Sequence, residues 1–216
     1  MLGWFKKKMT PVLSPKEGYD LWALSYAQES NPIKDLSNKL VESLLADLEG
    51  KSVLDAGCGT GHFCIFATRH RAAHIIGTDL SEVMIDQAKR NCPTAEFYCG
   101  DISTLNLKQK QVDVIICALV IGHIENISNL FLNFSAMLKP GGYLVLTDFH
   151  PILTQRNAKR TFKNPQTQQV TEIKHYLHTL EEIRGLLEQS GFRIDQLQEP
   201  QWNNTPVVYG FKAFKT

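Results

Sequence analysis

The sequence predicts one α/β domain built on a mostly parallel sheet with an antiparallel C-terminal edge. Three features predict it. Strand-like apolar runs alternate with helix-like ones; a glycine-rich loop, Gly57–Gly61, follows the first core strand; and aspartates stand at three successive strand ends, Asp55, Asp79 and Asp101. A chain of 216 residues suits one such domain with a small insertion.

Taken in order, residues 1–33 form an N-terminal cap, with Tyr19, Trp22 and Tyr26 at helical spacing. Leu36, Leu40, Leu44 and Leu48 recur every four residues, with Val41 and Leu45 beside them, so a helix is expected over 34–48 with Gly50 ending it. Ser52-Val53-Leu54 is a short apolar strand running into the glycine loop, and 61–71 reads as helix. His74–Thr78 is the second strand, and Ser81 is placed to cap a helix reaching Asn91. Ala95–Cys99 and Val112–Ala118 are the third and fourth strands, the fourth apolar enough for a sheet centre. A helix over 127–138 closes at Lys139-Pro140-Gly141-Gly142, and Tyr143–Phe149 is the fifth strand. Thr179 and Glu182 make a capping box for a helix stopping at Gly191, and Phe192–Gln198 and Pro206–Phe214 pair antiparallel at the edge. The core thus covers 34–149 and the C-terminal helix and strands 179–216, with an insertion at 150–178 that breaks the alternation.

The chain is 43% hydrophobic and 21% charged with a formal net charge of +1, the profile of an ordinary globular enzyme without a global attraction to nucleic acid or acidic membrane. Five cysteines without CxxC spacing suggest neither a disulfide framework nor a zinc site. Each is expected to be buried and reduced, as in a cytoplasmic protein. No run of residues has the length of a bilayer span. At the start, Trp4 and Phe5 precede Lys6, Lys7 and Lys8, the wrong order for a secretory leader. A frayed tail or a contact with an anionic surface both suit them.

A strand, then Gly57-x-Gly59-x-Gly61, then a helix brings backbone close to a ligand at a helix start. Dehydrogenases use a similar loop for NAD, so an NAD-binding oxidoreductase is the competing expectation. The spacing here is G-x-G-x-G, and Asp55 before it opposes a pyrophosphate but suits a ligand carrying an ammonium and a sulfonium. Asp79 is placed to accept both hydroxyls of a ribose, Asp101 to accept from an adenine amino group, and Ile102 to pack on its ring. These residues point to S-adenosylmethionine.

The runs Val53–Gly61, Gly77-Thr78-Asp79-Leu80-Ser81 and Leu138–Gly142 resemble motifs of class I S-adenosylmethionine-dependent methyltransferases. The resemblance implies a Rossmann-like three-layer sandwich and a cofactor pocket that also takes in Leu80, Met84 and Ala118. Tyr19–Tyr26 is similar to the N-terminal element of the branch acting on small molecules, quinone precursors and malonyl-carrier proteins, in which a tyrosine lies over the cofactor. Tyr19 and Tyr26 are the candidates, with Trp22 nearer the acceptor; plain packing is the alternative for all three.

Methyl transfer is an in-line displacement that needs positioning, and a base only when the acceptor is protonated. The Asn/Asp-Pro-Pro-Tyr/Phe sequence of enzymes methylating base amino groups is absent after the fourth strand, which argues against nucleic acid. His123 and His150 are the candidate bases, or else hydrogen-bonded pocket walls; His175 and His178 are expected near the acceptor. The insertion carries Arg156, Lys159, Arg160, Lys163 and Lys174, so it is either a lid for an anionic acceptor, Arg156 among its contacts, or a solvated basic loop. No metal site is expected. The acceptor is a small or carrier-bound molecule, with oxygen favoured. A non-catalytic S-adenosylmethionine-binding module is the remaining alternative.

Overall fold

The computed structural model describes residues 10–29, 31–107 and 110–216. Trp4, Phe5 and the lysines after them lie outside these residues. The elements are β1 (Val12–Leu13), α1 (Pro15–Tyr26), α2 (Pro32–Leu44), β2 (Ser52–Ala56), α3 (His62–Arg69), β3 (His74–Asp79), α4 (Glu82–Asn91), β4 (Glu96–Cys99), β5 (Val112–Ala118), α5 (Ser128–Met137), β6 (Leu138–Phe149), α6 (Pro151–Gln155), β7 (Thr161–Lys163), β8 (Val170–Ile173), α7 (Leu180–Gln189), β9 (Phe192–Gln198), β10 (Gln201–Trp202), β11 (Thr205–Pro206) and β12 (Val208–Lys215). A 3-10 turn at Ile121–His123 follows β5.

Seven strands form the central sheet in the order β4-β3-β2-β5-β6-β12-β9. The first five run parallel. β12 runs antiparallel to both β6 and β9, as the absence of a helix between the last two long strands requires. Strand alternation splits the core in two. Leu54, Ile115, Leu144 and Leu146 face α5 and α7, while Val53, Val114, Ile116 and Val145 face α2, α3 and α4. The result is a three-layer α/β sandwich whose parallel strands deliver their C-terminal ends to one rim.

Local signals are met. Ser81 accepts from the Met84 amide, and Thr179 with Glu182 forms the capping box. The leucine-rich helix is shorter than its pattern. It runs 32–44, with the Asn31 side chain capping Ile33 and Lys34, and Leu45 turns extended, yet Leu48 is still buried. The four-residue repeat continued past the helix end because the following extended segment buries the same face. Cys99 corrects the expectation of five buried cysteines: it is exposed at the end of the sheet-edge strand β4, while the other four are buried.

The insertion is folded. β7 and β8 pair antiparallel, and β1 adds parallel to β8, making a three-stranded sheet that ties Val12 and Leu13 to Glu172 and Ile173. Among the described residues no helix is long and apolar enough to cross a membrane.

Candidate active site

β2 ends in Asp55-Ala56 and turns through Gly57, whose φ of 78° is in the left-handed region. A Cβ at Gly57 would collide with the Val120 side chain, so the loop closes on the β5 exit only with glycine. The amides of Gly57 and Cys58 bond the Thr78 carbonyl at 2.8 Å each, tying the loop to β3. Gly61 starts α3 at φ 90° and lies against the backbone of Ala88 in α4.

The cleft along this rim takes in most of the expected cofactor residues. Tyr19, Tyr26, Gly57, Gly59, Asp79, Leu80, Met84, Asp101, Ile102 and Ala118 line one cavity. Asp55 lines its continuation past Gly57, Gly59 and Thr60. Gly61 lines neither and stands at the start of α3. Asp79 accepts from the amides of Gly59 and Ser81 at 2.9 Å each, so both oxygens are fixed where the residue lines the cavity. Burial raises its carboxyl above the usual range against the backbone N–H groups of Ser81, Gly59 and Leu80, which pull it down. Burial pushes the Asp55 carboxyl up to about 7, while the Cys64 thiol opposes the shift. Asp101 is exposed, with Oδ1 accepting the amide and hydroxyl of Ser103.

β5 leaves the sheet at Leu119, a non-glycine residue with φ 61° whose amide bonds the Thr147 carbonyl at 2.8 Å. Such conformations cost about 1–3 kcal/mol and gather where function needs them. Leu119 lines this first cavity and a second one beside it, and the turn it begins delivers His123. No signal in the sequence marks it.

Tyr19, Tyr26, Leu119 and His123 line both cavities and so form the wall between them. The Tyr19 hydroxyl lies 3.0 Å from His123 Nε2, and His123 Nδ1 lies 2.9 Å from the Lys174 carbonyl. A carbonyl only accepts, so Nδ1 carries the proton and Nε2 accepts from Tyr19. Burial, with the Arg160 charge, pushes the imidazole down to about 4 and keeps it neutral. Burial also raises the Tyr19 and Tyr26 phenols, Tyr26 to about 12. Trp22 lines the second cavity, stacked between Tyr19 at 5.8 Å and Phe162 at 5.2 Å, with its indole N–H donating to Glu29.

The other three histidines do not join His123. His150 caps α6 through Nδ1 and bonds Glu199 through Nε2 at 2.8 Å, so both nitrogens are committed to structure. His175 contacts the Ile173 carbonyl at 3.3 Å. His178 bonds the Ile124 carbonyl and faces Glu182, lining a small cleft on the far side of Arg160. Arg156 is exposed at the end of α6 and lines neither cavity. The buried charge of the insertion is Arg160, which donates to Asp148 at 2.7 Å. An aspartate inside the apolar strand β6 was the available sequence signal, since such a group requires a partner.

Residues 27–197 match the family model described as a methyltransferase domain. The chain belongs to that family. A Haemophilus influenzae protein is 30% identical over 214 residues, covering 81% of this chain and 84% of its own length. The ubiquinone biosynthesis O-methyltransferase of Coxiella burnetii is 33% identical over 118 residues, 53% of this chain, and this match spans about half (48%) of that relative. Among solved structures, magnesium protoporphyrin IX methyltransferase from Synechocystis, crystallised with bound SAH, aligns at a TM-score of 0.68 and 23% identity over 93% of this chain and 94% of that one. At that identity the likeness is one of fold. Family membership sets aside the expectation of an NAD-binding oxidoreductase.

Proposed function

We propose that this methyltransferase takes its methyl group from S-adenosylmethionine and delivers it to a hydroxyl oxygen of a small-molecule or carrier-bound acceptor. The donor fits the residues present. A buried carboxyl at Asp55 suits an ammonium group, Asp79 offers two fixed oxygens to a ribose, and Met84 and Ile102 give apolar walls to an adenine. The Thr78 hydroxyl, buried without a partner among the described residues, lies on the same wall. When bound, the donor supplies a sulfonium-activated methyl carbon. The protein's contribution is to hold the acceptor in line and exclude water.

The observation that carries the oxygen assignment is the Tyr19–His123 hydrogen bond in the wall shared by the two cavities. A neutral imidazole with its proton fixed on Nδ1 has an Nε2 lone pair ready to take a hydroxyl proton, directly or through Tyr19. Neither residue is needed for an acceptor that is already anionic at the reacting atom.

Incubation with methyl-labelled S-adenosylmethionine and an extract of the source organism, followed by mass spectrometry of the labelled product, tests this. An O-methyl product whose formation collapses in His123→Gln supports the proposal. Tight S-adenosylhomocysteine binding with no labelled product would instead identify a binding module, and a product labelled at nitrogen or carbon would overturn the oxygen assignment.

A further inference from the structure

Beyond the Tyr19–His123 wall, the second cavity is bounded by the flat rings of Trp22 and Phe149 and by the aliphatic Ile33 and Ile173. Arg160 lines it, with its guanidinium 4.4 Å from the Phe149 ring centroid and its side chain 10% exposed. One nitrogen, Nη2, donates to Asp148 Oδ1. The other two, Nε and Nη1, are buried without a hydrogen-bond partner among the described residues. Asp148 also accepts from the amides of Gly122 and Phe149 and reaches neither of these two nitrogens. Gly122 itself lacks a Cβ where the guanidinium presses against it.

Buried charged donors left without acceptors are costly and rare, and one beside a cavity is explained by an acceptor that arrives with the ligand. The neighbouring cations are engaged elsewhere. Lys159 pairs with Glu172 at 3.1 Å, and Lys34 donates to the carbonyls of Tyr26 and Glu29. One guanidinium with free N–H groups matches a single carboxylate better than a phosphate dianion.

We propose that the acceptor is a hydroxylated aromatic acid, its carboxylate held by Arg160 and its hydroxyl presented to Tyr19 and His123. This rests on the methyl-transfer reading of the neighbouring cleft. Burial first, and the Arg160 charge second, hold the His123 imidazole down, and a carboxylate at Arg160 offsets the second of these.

The test is calorimetric titration of the protein saturated with S-adenosylhomocysteine. The probes are hydroxybenzoates and hydroxycinnamates, each beside its uncharged amide. At least one acid is expected to bind about tenfold or more tightly than its amide. The preference is expected to vanish in the double variant Arg160→Gln/Asp148→Asn, which removes both charges together, while S-adenosylhomocysteine affinity stays within about threefold. Should that variant not fold, Arg160→Lys keeps the ion pair but loses the Nε donor, and the same loss of preference is expected. Equal binding of acids and amides, no binding of any acid, or a preference that survives in the variants overturns the proposal. Failure of the native protein to bind S-adenosylhomocysteine at all is a distinct result, and it overturns the methyl-donor reading together with this one.

Discussion

His123 hydrogen-bonds the Lys174 carbonyl at 2.9 Å across a separation of 51 residues. The contact gives the insertion a positional role. It reaches the candidate base through its backbone, fixing the tautomer, while the neighbouring β8 is anchored to β1. Displacement of β8 would remove the carbonyl that fixes this tautomer and leave the ring held by Tyr19 alone.

The pH dependence of acceptor kcat/KM, at saturating cofactor, follows from the environment of this ring. Burial and Arg160 push His123 down to about 4, so it remains a neutral base well below the ordinary histidine value of about 6.5. The profile is expected to show no histidine limb near 6.5 and to fall only as pH approaches 4. His123→Gln should lower kcat by about 10²–10⁴-fold. The same shift bears on stability. The unfolded chain takes up a proton below about 6.5 that the folded protein refuses until about 4, so this contribution is full above 6.5 and is lost as pH falls across that window.

Tyr19→Phe removes the hydroxyl and keeps the ring that stacks on Trp22. One hydrogen bond is worth about 0.5–1.5 kcal/mol, so the expected loss is up to about tenfold in kcat with little change in the thermal midpoint. A loss equal to that of His123→Gln would make Tyr19 an obligatory proton relay.

Much of this site was legible because its parts are local in sequence. Asp55, the loop glycines, Asp79 and Ile102 each follow a strand whose apolar pattern is plain, and parallel strands deliver their ends to one rim. What escaped was long-range. The parallel pairing of Val12 with Glu172 leaves no periodicity, and Arg160 looked like any other insertion cation until Asp148 came beside it. The four histidines shared a stretch of rim in sequence terms, but α6 and the Ile124 carbonyl claimed His150 and His178 as structural groups. Leu119 shows the limit most clearly, since nothing about a leucine announces φ 61°.

The Arg160–Asp148 pair has side-chain exposures of 10% and 2%. Removing one member of a buried pair strands the other and costs about 3–5 kcal/mol. Asp148→Ala also orphans the amides of Gly122 and Phe149, so it is expected at the upper end of that range by urea denaturation. Arg160→Gln/Asp148→Asn should cost clearly less than Asp148→Ala. A double variant as unstable as the single one would show that packing, not charge, dominates at this position.

Under the proposed donor reading, binding at Asp55 is expected to be proton-linked. Burial holds its carboxyl up to about 7, so near neutral pH much of it is protonated. The raised value means the folded protein holds a proton the unfolded chain releases above about 3.8; that contribution to stability is present below 3.8 and is lost as pH rises through about 7. A ligand ammonium beside Asp55 favours the ionised form and reverses the balance, so S-adenosylhomocysteine binding should release up to one proton below pH 7. Its affinity should weaken by about tenfold per pH unit in that range. Titration calorimetry in two buffers of different ionisation enthalpy measures the release directly. Asp55→Asn should abolish both the release and the pH slope while lowering affinity above pH 7. An Asn variant that keeps the slope would move the titrating group to Asp79, whose carboxyl is also raised by burial.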